Sequence, residues 1–438
     1  MDWSTILILF LGGQVLLLLL GLPVAIAFFA INLVGAFVFM GGYVGELQLI
    51  RNSVDAITSF ALSPIPLFVL MGEILFHTGV AQRAIDAVDR LISRVPGRLS
   101  LVAVVGGTIF AALSGSTMAN TALLGSTLMP EMRRRGYHYS MAMGPILGTG
   151  GIAMLIPPSA LAVLLASLGN IPVADLLIAG ILPGVLMAAF FFGYVVLRCL
   201  LDPKLAPVYD AEPLNWSQRL KPVLTDVVPL LSLFVVVVGS ILGGIASPTE
   251  SAALGAVGAF IATVGYRACT WRAMKRAALE TAKMAAMIFF IVAASITFSQ
   301  ILSFSGATEG LLRTVTGWNL SPAALVAGMM LILLFLGCFL DQVSMMMITL
   351  PFFMPIAAHL HIDVVWLGLM MLIMLEIGFT TPPFGMLLFV MKGVAPPDVT
   401  MRQIYAAAAP FIALEITTVA VVFLVPGVAT WLPSLLAR

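Results

Sequence analysis

Gly148-Thr149-Gly150-Gly151-Ile152-Ala153-Met154-Leu155-Ile156-Pro157-Pro158 and Gly378-Phe379-Thr380-Thr381-Pro382-Pro383 decide how this chain folds. Each is a glycine- and threonine-bearing stretch that ends on a proline pair inside an apolar run. Each pair stands 27 residues after an earlier proline, Pro130 in one case and Pro355 in the other. The pairs lie 225 residues apart, and Pro172 and Pro397 repeat that offset. Upstream of each pair is a long apolar stretch, Leu99–Met132 or Pro322–Ala358, whose middle holds Ser, Gly, Asn or Asp. The chain therefore reads as two copies of one unit.

A helix crosses a bilayer in roughly 20 residues. Both stretches are too long for one crossing, and both are broken where a helix should be most buried. Charge flanks set how they lie, because cytoplasmic loops are enriched in Lys and Arg. Arg83, Arg90, Arg94 and Arg98 precede the first stretch, and Arg133, Arg134 and Arg135 follow it. Both ends are then cytoplasmic, and the segment is a re-entrant hairpin with its tip near Ser114-Gly115-Ser116. The second stretch has Glu309 and Arg313 before it and His359, His361 and Asp363 after it. Those flanks read as external. The fold expected is an all-α integral membrane protein, an inverted-topology repeat with two re-entrant helical hairpins and two broken helices. Inverted repeats with broken helices near the midplane characterise secondary transporters.

The rest of the chain agrees. Hydrophobic residues make up 61% and charged residues 9%, against about 45–50% and about 25% in soluble domains. Spans are expected at Ser4–Leu20, Pro23–Met40, Phe60–Ala81, Tyr139–Leu168, Leu176–Leu200, Val223–Ile245, Glu250–Tyr266, Met284–Phe304, Val364–Met391 and Ile404–Pro426. Arg267, Arg272, Lys275, Arg276 and Lys283 fall on a short amphipathic helix expected to lie in the interface. Gly169–Asp175 and Ala246–Thr249 carry no Lys or Arg and read as external; a turn at Gly21-Leu22-Pro23 puts both termini outside. A net charge of +1 argues against a nucleic-acid partner, and Cys199, Cys269 and Cys338 have no paired spacing. There is no phosphate-binding loop, no Ser/His/Asp spacing and no cleavable leader pattern. An ion gradient or another subunit must supply the energy.

Irregular backbone survives in hydrocarbon only where it is buried in protein or lines a wet cavity. Its exposed carbonyls, with Ser, Thr and Asn oxygens, suit Na⁺. Helix N-termini at the same breaks suit an anion. The candidates are Ser114, Ser116, Asn120, Thr149, Gly150 and Gly151 in the first half, and Asp341, Ser344, Gly378, Thr380 and Thr381 in the second. Small residues in membrane helices also serve close packing, and Asp341 could equally cap a helix. Glu73, Glu376 and Glu415 fall inside spans, with Glu376 beside a break as a supporting group.

Ser63-Pro64-Ile65-Pro66-Leu67-Phe68 with Gly72-Glu73, Ser114-Gly115-Ser116 with Ala119-Asn120, Ser247-Pro248-Thr249-Glu250-Ser251-Ala252-Ala253 with Gly255, and the two proline-pair segments form an ordered set. That set resembles the large membrane subunit of tripartite ATP-independent periplasmic (TRAP) transporters over essentially the whole chain. The resemblance implies a multi-pass protein of the bacterial inner membrane, belonging to the ion transporter superfamily, and not an enzyme. It implies a periplasmic substrate-binding protein that delivers a small carboxylate such as a dicarboxylate or a sialic acid. It implies a small four-helix membrane subunit, expected as a separate chain, and Na⁺ as coupling ion with no organic cofactor. It also implies an elevator. Residues 1–60 would be scaffold helices and first arm (Gly45–Ser59), and 61–200 the first transport repeat, with hairpin 99–132 and broken helix 139–168. Residues 201–283 would be a cytoplasmic loop, scaffold and second arm (Thr270–Lys283), and 284–438 the second repeat, with hairpin 322–358 and broken helix 364–391. The rival readings are an autonomous Na⁺/dicarboxylate symporter, an intramembrane protease, for which Ser114 lacks a His partner, and a passive channel.

Overall fold

The computed structural model describes residues 2–92, 95, 97–207 and 215–435, and among these it is all-helical. Arg94, one of the expected cytoplasmic flanks, lies outside the described residues. The helices run α1 (Trp3–Leu19), α2 (Val24–Phe39), α3 (Tyr43–Thr58), α4 (Pro64–His77), α5 (Val80–Leu91), α6 (Arg98–Ser114), α7 (Thr117–Arg134) and α8 (Tyr139–Leu155). They continue with α9 (Ala160–Gly169), α10 (Val173–Ala179), α11 (Ile181–Leu201), α12 (Trp216–Pro222), α13 (Val228–Leu242), α14 (Pro248–Gly265) and α15 (Trp271–Phe304). The last are α16 (Ala307–Gly317), α17 (Pro322–Gly337), α18 (Gln342–His359), α19 (Val364–Thr380), α20 (Met386–Val394), α21 (Met401–Leu424) and α22 (Gly427–Ser434). Among the described residues, six segments are long and apolar enough to cross a membrane: Phe60–His77, Val173–Leu201, Trp216–Leu242, Trp271–Phe304, Gln342–His359 and Met401–Leu424. A bent pair, α8 with α9 at 46°, makes a possible seventh.

Helix ends fall where local chemistry puts them. Ser116, Asp341 and Asp363 each stand just before a helix and accept hydrogen bonds from its first free N–H groups. Ser247 and Glu250 satisfy one another's backbone ahead of α14, with Pro248 at the first helical position.

The repeat is visible in these bounds. At the offset of 225 that separates the proline pairs, Ser116 and Asp341 are the caps of α7 and α18. At that offset Arg134 and His359 end those helices, Tyr139 and Val364 begin α8 and α19, and Leu155 and Thr380 end them. Both proline pairs contain a cis peptide bond.

Two expectations need correction. By composition, Gly148-Thr149-Gly150-Gly151 reads as the interruption of the first broken helix, but α8 runs through it and ends at Leu155. The break is at Ile156–Ser159, where Pro157 and Pro158 have no N–H to donate. The glycines serve contact instead: a Cβ on Gly148 would lie 2.5 Å from Phe411 of α21. The stretch Thr270–Lys283 is likewise no separate helix. It is the first part of α15, which contains neither Gly nor Pro and runs unbroken for 34 residues.

Candidate functional site

The two helix breaks meet at one cavity of about 660 Å³. Ser114, Gly115, Ser116 and Thr117 line it from the α6–α7 break. Leu340, Asp341, Gln342 and Ser344 line it from the α17–α18 break. Phe379 and Phe384 of the second broken helix face it, and Glu73 reaches it from α4. Helices α2 and α15 close the other side with Ile26, Ile288 and Ile291.

The sequence candidates divide by where they sit. Ser114, Ser116, Asp341 and Ser344 reach the cavity. The Ser116 hydroxyl accepts from the Ala119 N–H at 3.3 Å, and Ser114 Oγ from the Ser116 N–H at 3.4 Å. Of the two readings of Asp341, the cap describes its contacts. One carboxylate oxygen accepts from the Val343 and Ser344 N–H groups at 3.0 and 3.2 Å, and the other accepts from the Ser344 hydroxyl.

The remaining candidates do not line the cavity, and all are buried except the partly buried Thr381. Asn120 donates from Nδ2 to the Thr149 carbonyl at 2.9 Å, while its Oδ1 has no hydrogen-bond partner. The Thr149 hydroxyl is occupied by the Pro145 carbonyl at 2.9 Å. A Cβ on Gly150 would lie 3.1 Å from both Thr117 and Thr121 side chains. One on Gly151 would lie 2.8 Å from Glu415 Oε1 and 2.9 Å from Glu376 Cγ. Gly378 abuts the Gly337 backbone, so α17 and α19 touch main chain to main chain. Thr380 donates to the Ile377 and Glu376 carbonyls at 3.0 and 3.1 Å, and Thr381 to the Ile377 carbonyl at 2.5 Å. These hydroxyls spend their protons on backbone and keep lone pairs free.

Three residues escaped the sequence reading. Thr121 Oγ1 is buried without a hydrogen-bond partner. Thr117 and Gln342 both donate to Glu376 Oε2, at 3.2 and 2.8 Å. The signal for the last two was present: they stand at the 225-residue offset, each the first residue of a helix after a break.

Residues 11–428 match the family described as tripartite ATP-independent periplasmic transporter, DctM component. The chain belongs to this family, as its large membrane subunit. The C4-dicarboxylate TRAP transporter large permease protein DctM of Pseudomonas aeruginosa is 33% identical over 361 residues, covering 81% of this chain and 82% of that protein. The ectoine TRAP transporter large permease protein TeaC of Halomonas elongata is 30% identical over 426 residues, covering 96% and 97%. The solved YdaH transporter of Alcanivorax borkumensis shares the fold, with a TM-score of 0.59 at 16% identity over 89% of this chain and 90% of that one. A TRAP large subunit is a transport protein and not an enzyme, and it sits in the bacterial inner membrane as a multi-pass chain. Membership implies a small membrane subunit and a periplasmic binding protein as partners.

Proposed function

We propose that this TRAP subunit imports a small carboxylate handed to it by a periplasmic binding protein, driven by Na⁺ and moved by an elevator. The observation that carries the reading is the convergence of both helix breaks on one cavity, with unsatisfied buried oxygens three and four residues beyond the cavity-lining Thr117. In this reading the pairs α6–α7 and α17–α18 are re-entrant hairpins of opposite orientation. With the broken pairs α8–α9 and α19–α20 they form the moving part. Residues 61–200 and 284–438 hold these elements, while 1–60 and 201–283 provide scaffold and arms.

The carboxylate assignment rests on the printed substrates of relatives, C4-dicarboxylates and ectoine. Within the cavity, the α7 N-terminus suits an anionic group better than that of α18. Ser116 caps α7 with a neutral hydroxyl, whereas Asp341 already places a carboxylate on the N-terminus of α18.

The fit to Na⁺ rests on hard oxygen donors left over after folding. Asn120 Oδ1 and Thr121 Oγ1 are orphaned in the first half. Ser114 and Ser116 precede them at the α6–α7 break and line the cavity. In the second half the lone pairs of Thr380 and Thr381 and the carbonyls around the break play that part, with Ser344 at the tip. When bound, Na⁺ supplies the positive charge that balances an incoming carboxylate and ties its movement to the ion gradient. An orphaned buried acceptor costs about 1–3 kcal/mol, a cost that a bound cation would relieve.

The test is uptake into proteoliposomes holding this chain and its small partner, with loaded binding protein added outside. A labelled dicarboxylate or ectoine should accumulate under an inward Na⁺ gradient. Equal uptake with K⁺ in place of Na⁺, or without the binding protein, would overturn the proposal.

A further inference from the structure

We infer that Glu376 is the positioning residue that ties the two hairpin tips to each other, so that ordering one tip orders the other; this rests on the reading of those tips as the transport site. Both hairpin tips reach its carboxylate, each through one residue. Thr117 begins α7 and donates its hydroxyl to Glu376 Oε2 at 3.2 Å. Gln342 begins α18 and donates Nε2 to the same oxygen at 2.8 Å. Gln342 Nε2 also lies 3.1 Å from the sulfur of Met154, on the first broken helix α8. Glu376 itself belongs to the second broken helix α19.

The arrangement uses the repeat and breaks it at one place. Thr117 and Gln342 are equivalent positions, 225 residues apart, each the first helical residue after a cap. The equivalent of Glu376 at that offset is Gly151. A second side chain there is sterically barred, since even a Cβ on Gly151 would come within 2.9 Å of Glu376 Cγ. One carboxylate therefore serves both tips, and the space it needs is supplied by the missing side chain of its counterpart.

Glu376, Gln342 and Thr117 are buried, at 1%, 6% and 5% exposure. Glu376 is not among the cavity-lining residues, whereas Thr117 and Gln342 are. It therefore acts through the tips and not on the solute. Shared acceptance by one oxygen is what makes the tips interdependent. A tip that moves away loses a hydrogen bond to a carboxylate, and its departure frees Glu376 to relax away from the other tip. Interaction through a common partner produces non-additive mutational effects.

The experiment uses the full transporter in proteoliposomes. It compares Glu376→Ala, Glu376→Gln, Thr117→Val and Gln342→Leu, with the two tip variants also made in the Glu376→Ala background. Monodisperse yield of each purified variant corrects the rates for folded protein. Glu376→Ala removes both tip hydrogen bonds. Losing both should raise the substrate concentration for half-maximal uptake by about tenfold, which is 1.4 kcal/mol. The Na⁺ dependence should also flatten. Glu376→Gln, which keeps an acceptor oxygen, should recover part of the loss. Thr117→Val and Gln342→Leu should each weaken the wild type yet be silent in the Glu376→Ala background. The proposal is overturned if the two tip variants act with undiminished effect without Glu376, or if Glu376→Ala lowers only the amount of folded protein. If Glu376→Ala yields no folded protein, the Thr117→Val/Gln342→Leu double variant decides: a combined effect short of the product of the two upholds the tie, and a full product refutes it. Should uptake prove indifferent to Na⁺, the ion reading falls, and the same comparison of substrate half-saturation still decides the role of Glu376.

Discussion

Gly378→Ala puts the packing of the second broken helix to a quantitative test. The added Cβ would sit 2.7 Å from the Gly337 Cα and 3.3 Å from the Met345 Cε. The nearer atom is backbone, so relief requires α17 and α19 to separate rather than a side chain to turn. Forced overpacking costs about 1–3 kcal/mol, and a backbone clash belongs at the upper end. Alanine in a helix recovers about 1 kcal/mol over glycine. The net loss is then about 2 kcal/mol. Gly328→Ala, in α17 with nothing within 4 Å of its Cβ, is the control and should be neutral or slightly stabilising. Thermal unfolding of the purified subunit in detergent reads both. Uptake by Gly378→Ala should fall as well, because the helix that carries Glu376 is displaced. If Gly378→Ala unfolds at the wild-type temperature and transports normally, the close approach of α17 and α19 is refuted, and with it the packing account of this glycine.

Further outcomes follow from other contacts. Asn120→Ala and Thr121→Val should each raise the Na⁺ concentration for half-maximal uptake, and Ser116→Ala and Thr381→Ala should impair uptake far more than folded yield; normal Na⁺ dependence in all four would make these oxygens packing elements. Single cysteines at Arg90 and Arg134, in a chain lacking Cys199, Cys269 and Cys338, should both resist impermeant thiol reagents in intact cells; protection of only one would mean that α6 and α7 cross the membrane. Asp398, in the loop after α20, accepts from the Tyr139 hydroxyl at 2.9 Å and from Arg133 at 2.6 Å, which holds its carboxyl below the usual range. Its contribution is therefore present at neutral pH and lost as pH falls through the depressed value, so Asp398→Asn should lower thermal stability slightly at pH 7 and make no difference in strong acid; an equal effect at both would contradict the assignment.

The repeat was legible because proline leaves a mark that survives divergence. The offset of 225 between Pro157-Pro158 and Pro382-Pro383 also sets the ends of α7 and α18 and of α8 and α19. The exact break in the first half was not legible. Gly148-Thr149-Gly150-Gly151 resembles an interruption by composition, yet α8 passes through it. Its glycines admit Phe411, Glu376 and Glu415 from neighbouring helices, which only tertiary contact reveals. The continuity of α15 was missed because the basic residues of its first half suggested an interfacial helix, although nothing in the sequence ends that helix before Phe304. Ser114, Ser116, Asp341 and Ser344 were found because polar density in an apolar stretch is conspicuous. Thr117, Thr121 and Gln342 are single polar residues whose side chains gain meaning only from a partner 259 or 34 residues away or from having none.

The most direct measurement is saturable binding of radioactive sodium to the purified chain with its small partner, in the wild type and in Asn120→Ala and Thr381→Ala. The account predicts saturable binding that weakens in both variants, one from each half, while their folded yield holds. Absence of saturable binding, or binding unchanged in both variants, would contradict the claim that the two helix breaks build the ion-coupled transport site.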